Sequence, residues 1–202
     1  MKINTIRLRV VLGVLAILLP WIVALLAKTI PTSISETYYI AECTTPFMII
    51  LGACSILLIC YKGYDLQDDI ILTLSGIMGL GICFFPTWIK GLEFVGTFHT
   101  PVLISTNIHN ICAVIFFGLL SYNSIFLFTK GDGNPTRNKK IRNIIYIVSG
   151  VGMLASFLIM LLPSFRIQIW LVETIALSFF GLSFLTKADV FPFLFCDSPY
   201  KD

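Results

Sequence analysis

Six apolar runs, each between 16 and 24 residues long, dominate this chain of 202 residues. They cover about 10–27, 46–61, 70–88, 105–128, 144–162 and 168–185. None alternates apolar and polar residues with period two, so they read as helices rather than barrel strands. A helix crosses a bilayer in about 20 residues. The composition agrees, being 57% hydrophobic and 12% charged, whereas a soluble domain carries about a quarter charged residues. Too little polar surface remains to face water. The expected fold is all-α: one transmembrane domain over 1–202, a polytopic bundle of six helices. The first run follows a basic start, as a signal peptide would. It has 18 residues, beyond the about 7–15 of a signal core, and it reads as a retained helix.

Positive charge assigns an orientation. With the N-terminus inside, eleven of the fourteen Lys and Arg residues fall in inner links, and only Lys28, Lys90 and Arg166 fall outside. Cytoplasmic links carry this excess, so both termini are expected in the cytoplasm. Arg137, Lys139, Lys140 and Arg142 lie in the most basic link. They suit anionic headgroups of the inner leaflet, each contributing about 1 kcal/mol near the surface. No folded domain supports them as a nucleic-acid patch.

Polar residues inside the apolar runs mark the candidate site. The fourth run begins with Ser105, Thr106, Asn107, His109 and Asn110, and the sixth carries Glu173. Hydrocarbon offers no water to such groups, so each needs an internal partner or a wet cavity. In the assigned orientation, His109 lies roughly 6 Å below the outer surface and Glu173 roughly 7–8 Å below it. The first outer link brings Ser33, Ser35, Glu36, Tyr38, Tyr39 and Glu42 to the same side, and the second brings His99. These segments can converge on one outward-facing pocket. Three readings stay open for His109 and Glu173. They form an interhelical hydrogen bond that holds the bundle, about 0.6 kcal/mol on average. They act as a catalytic acid/base or metal-ligand pair for hydrolysis. Or they are the polar floor of a site for a lipid headgroup or small ligand.

Other motifs carry less. Asp65, Asp68 and Asp69 open the third run, where acids cap a helix and complement its dipole. Ser75, Gly79 and Cys83 recur at four-residue steps and make a small-residue face for close packing. Gly76, Gly79 and Gly81 follow no strand, so they are not a phosphate loop. The six cysteines include no C-x-x-C pair, and no disulfide framework is expected. The chain has no G-x-S-x-G and no H-E-x-x-H, so familiar soluble catalytic machinery is missing.

The segments PTSISETYY, YKGYDLQDDI, FFPT, NIHNICAVIFF and WLVETIALSFFGLSFLTK together resemble small bacterial polytopic membrane proteins of uncharacterised function. More distantly they resemble the CREST superfamily of membrane hydrolases, which includes alkaline ceramidases. The likeness spans most of the chain on short motifs. It implies lipid hydrolysis at a zinc ion held between helices by a serine, an aspartate and three histidines. Ser35 or Ser55, Asp65 and His109 stand for these here. The chain departs from that pattern, with two histidines in total. Glu173 stands where the superfamily has a His-x-x-x-His pair, and there are six spans rather than seven. The metal and cofactor content therefore stays open, zinc included.

The functional expectation is an integral membrane protein, placed by the resemblance in a bacterial inner membrane. Its outward polar pocket binds or handles a lipid or small amphiphile. The alternative is a membrane-embedded lipid hydrolase using His109 and Glu173. A channel or transporter subunit ranks third, because no inverted repeat is visible. Membrane lipids are the expected partners, with a homo-oligomer left open.

Overall fold

The computed structural model describes residues 5–131, 136–160 and 169–191. They form six long helices: α1 Thr5–Ala27, α2 Ala41–Ile59, α3 Leu66–Phe84, α4 Val102–Tyr122, α5 Arg137–Met160 and α6 Ile169–Lys187. A π-helical turn, Asn123–Leu127, extends α4. All six helices are long and apolar enough to cross a membrane. The link after α1 contains a short 3-10 helix, Ser35–Tyr39. The link after α3 contains a two-stranded antiparallel ribbon, β1 Phe94–Val95 and β2 Thr100–Pro101.

Helices α2, α3 and α5 start before their apolar runs do. α2 starts at Ala41 and takes Pro46 inside. α3 starts at Leu66, where Asp65 caps it by accepting from the Asp68 amide at 3.0 Å. α5 starts at Arg137, so the basic stretch expected as a flexible loop is the first turns of a helix. Hydropathy marks where lipid ends, but the backbone still needs its hydrogen bonds there. A helix continues to supply them while long polar side chains reach for water. The tail's aromatic run Phe191 to Phe195, which reads in the sequence as an interfacial segment, lies outside the described residues beyond Phe191.

The helices form a closed ring in chain order, each packed on the next and α6 packed back on α1. Glycines set two of these contacts. A Cβ on Gly181 would lie 2.6 Å from the Gly13 carbonyl oxygen, so α1 and α6 touch backbone to backbone. A Cβ on Gly76 would lie 2.4 Å from the Ser55 carbonyl, and one on Gly79 would lie 2.3 Å from Ser55 Oγ. This is the small-residue face read from the sequence, and it brings α3 against α2. Aromatic rings fill the axis below the site. Phe180 meets Phe116 and Phe184 edge-on at 6.3 and 4.9 Å, and Phe184 meets Phe128 at 5.0 Å.

The end of the bundle away from the site carries a charge network. Lys130 pairs with Asp65 at 2.8 Å and with Asp68 at 3.0 Å, tying the end of α4 to the start of α3. Arg9 donates to the Tyr61 hydroxyl and to the Lys187 carbonyl, joining α1, α2 and α6. The Lys187 ammonium donates to the Phe128 carbonyl and sits over the Phe128 ring. Among the described residues, Cys43, Cys54, Cys60, Cys83 and Cys112 are free thiols.

Two tests follow from this packing. Gly79→Leu forces α3 off α2 and is expected to cost about 1–3 kcal/mol. Gly52→Leu, whose added carbon meets nothing within 4 Å, is the neutral control, and thermal unfolding in detergent compares the two. The Lys130 ammonium holds the Asp65 carboxyl below its usual 3.8. A lowered acid stabilises the fold fully above that usual value and loses its contribution as pH falls through the lowered one. Lys130→Met should flatten the acid limb of the stability–pH curve, read as melting temperature between pH 5 and 2.

Candidate functional site

Glu173 lies one turn into α6, half-buried among mostly apolar neighbours. A carboxylate there needs donors from the protein. The link after α1 supplies them by folding over the start of α6. The Trp170 amide donates to the Thr32 carbonyl at 2.9 Å and fixes the link against the helix. The Ile34 amide then donates to Glu173 Oε2, and Ser35 Oγ lies 3.2 Å from Oε1. The Ser35–Tyr39 turn follows directly, with Thr37 Oγ1 donating back to the Ile34 carbonyl. One half-buried carboxylate thus organises the conformation of a link that hydropathy reads only as polar.

His109 reaches the same hydroxyl from α4. Its side chain is buried, with Nε2 3.0 Å from Ser35 Oγ and Nδ1 2.8 Å from the Phe85 carbonyl oxygen. That carbonyl is available because α3 ends at Phe84 and Pro86 follows, leaving the last carbonyls of the helix without amide partners. A carbonyl only accepts, so Nδ1 carries a hydrogen and Nε2 faces Ser35. The chain Glu173–Ser35–His109 contains two hydrogen bonds, and the hydroxyl supplies one proton. The second proton resides on Glu173 or on His109. Ser35 donates to whichever partner lacks it.

This polar chain closes one end of a cavity of about 500 Å³ in the middle of the ring. The walls are apolar and come from all six helices: Leu19, Phe47, Ile82, Phe116, Leu154 and Leu177 are among them. Ser35, His109, Asn110 and Glu173 are its polar members. Val114, Leu154 and Leu158 line the cavity and are also exposed on the outside of the bundle. Among the described residues, the space therefore opens sideways between α4 and α5. The volume and the few convergent polar groups match small-molecule sites in general, about 300–1,000 Å³.

The other expected site residues divide. Ser33 is buried and accepts from the Glu36 amide, so it shapes the turn rather than the cavity. Tyr38 packs edge-on against Tyr39. The Tyr39 hydroxyl donates to the Thr87 carbonyl at 2.6 Å. Burial, and next the neighbouring Tyr38, push its pKa up to about 12, so it stays a neutral donor at ordinary pH. Glu36 is half-buried beside the turn, and Glu42 is exposed at the start of α2. His99 is exposed at the tip of the ribbon and stacks on Phe94 at 4.8 Å. Asn107 is exposed and off the cavity, while Asn110 lines it. Arg137 and Lys140 are exposed on α5, and Arg142 turns inward to Asp189 at 3.7 Å. The Phe85 carbonyl and the Ile34 amide carry no side-chain signal. The helix-ending FFPT is the one sequence hint of a free carbonyl.

The zinc set implied by the CREST likeness does not assemble. Asp65 begins α3 and Phe85 follows its end, so Asp65 and His109 are separated by about 28 Å of helix. Ser55 donates to the Leu51 carbonyl and packs on Gly79. Among the described residues no three His, Cys, Asp or Glu side chains gather around a common point, and both His109 nitrogens already have partners. Catalytic zinc takes three protein ligands, and these residues do not fit it.

Glu173→Ala is expected to orphan the buried Ile34 amide, costing about 1–3 kcal/mol. It should also speed hydrogen exchange across residues 34–39. Glu173→Gln keeps an acceptor for that amide and should leave the exchange slow; equal exchange in both variants would remove Glu173 as the organiser of the link. No family model, no curated protein and no solved structure matches the chain.

Proposed function

We propose that this protein is a membrane-embedded receptor site for a lipid or other single-chain amphiphile, with the chain in the apolar cavity and the polar head against Ser35, His109, Asn110 and Glu173. The observation that carries this reading is the shape of the cavity: apolar along its length, polar at one end, open on its side between α4 and α5. Such an amphiphile enters from the bilayer without passing through water. The edge-on rings of Phe116, Phe180 and Phe184 fill the axis below the cavity, which favours binding over conduction through a single chain. The excess of Lys and Arg at the opposite end supports cytoplasmic termini, an outward-facing polar head site and residence in an inner membrane. Exposed Arg137 and Lys140 at that end suit contact with anionic lipid headgroups.

Purified protein is expected to carry amphiphile, detected by solvent extraction and mass spectrometry. Val114→Trp and Gly118→Trp fill the cavity from α4 and should lower the retained amount about tenfold, a loss of about 1.4 kcal/mol. Wild-type protein that carries none, or filled variants that retain as much, would sink the reading.

A further inference from the structure

The polar end of the cavity holds more than a headgroup site needs. A serine hydroxyl and an imidazole nitrogen stand 3.0 Å apart, and the far nitrogen of that imidazole is fixed by a carbonyl at 2.8 Å. Nucleophilic catalysis by serine uses this arrangement: a base within hydrogen-bond reach, oriented by a third group that accepts from its other nitrogen. Here the third group is the Phe85 backbone carbonyl. A hydrogen bond that only held helices together would not need to lie at the end of an open cavity. We propose that Ser35 is a catalytic nucleophile with His109 as its general base, acting on a carboxylic ester of a long-chain amphiphile. The proposal rests on the amphiphile-binding reading of the same cavity.

The reactive arrangement places the second proton of the chain on Glu173. Glu173 then donates to Ser35, and the Ser35 hydroxyl donates to His109 Nε2. Ser35 Oγ attacks the ester carbonyl carbon while its proton passes to Nε2. The tetrahedral intermediate collapses, the carbonyl–alkoxy bond breaks, and the leaving alcohol takes the proton from His109. Water then enters, His109 removes its proton, and the oxygen attacks the acyl-serine. The fatty acid leaves, and Ser35 regains its proton from His109. No oxidant, reductant or metal enters the balance. Asn110 lines the cavity and has no hydrogen-bond partner among the described residues. It is the side chain free to donate to the acyl oxygen as charge develops there.

The test is an alkyl fluorophosphonate, which forms a phosphorus–oxygen bond with an activated serine and releases fluoride. Protein in lipid vesicles is treated with the probe, digested and mapped by mass spectrometry. The expected result is an adduct on Ser35, absent in Ser35→Ala and at least about 100-fold slower in His109→Asn. Both variants should still unfold cooperatively on heating in detergent, which shows an intact fold. Glu173→Gln is expected to label more slowly than wild type and faster than His109→Asn, because its amide can donate to Ser35 while its oxygen accepts from Ile34. A folded Glu173→Gln protein that no longer labels would overturn the choice of His109 as base. Retained amphiphile with no adduct on wild-type Ser35 would overturn the nucleophile and leave the binding site standing. Neither amphiphile nor adduct would overturn both.

Discussion

A carboxylate placed one turn inside an apolar helix needs partners, and hydrocarbon supplies none. Glu173 finds them in a link that would otherwise run freely over the surface. The Ile34 amide and the Ser35 hydroxyl turn inward to it, and this places Ser35 within reach of His109. The link is held at a second point by Trp170 and Thr32. Without the carboxylate the Ile34 amide loses its partner, and Ser35 keeps only His109. The same constraint explains why the site combines side chains from three distant segments: none could be buried there alone.

The ring of helices sets what surrounds that chain. Glycine contacts draw α1 to α6 and α3 to α2 until backbones touch, so those walls are tight. α4 and α5 come close where Gly150 meets Ser121 and Ile125, and part beside Val114 and Leu158 to leave the seam. Aromatic rings close the lower axis. Among the described residues, what remains is a space with a polar end and a lateral opening between α4 and α5. Packing therefore decides the access route as firmly as polar chemistry decides the head of the site.

Much of this was legible in the sequence. The length of the apolar runs gives the six helices, because a bilayer fixes how many residues a crossing needs. His109 and Glu173 stand out because each is expensive in hydrocarbon, and depth counting puts them level with the first link. Selection among link residues was not legible. Ser33 and Ser35 are alike in sequence, yet one shapes a turn and the other joins His109 and Glu173. Glu42 and Asn107 share the neighbourhood but face outward, since side-chain direction depends on the phase of each helix. The Phe85 carbonyl was hidden because a backbone acceptor leaves no mark in residue identity. Gly13 and Gly181 escaped notice too, their meeting being a property of the ring rather than of either run.

The seam between α4 and α5 changes the meaning of concentration for whatever occupies the cavity. A molecule arriving from the bilayer is counted by its mole fraction among lipids, not by its molarity in water. Adding buffer leaves that quantity unchanged, whereas adding bulk lipid or detergent lowers it by surface dilution. A long-chain detergent is itself a single-chain amphiphile and would compete with a proposed occupant for the same space. On the proposed reading, an affinity for this cavity is a property of the two-dimensional phase around it.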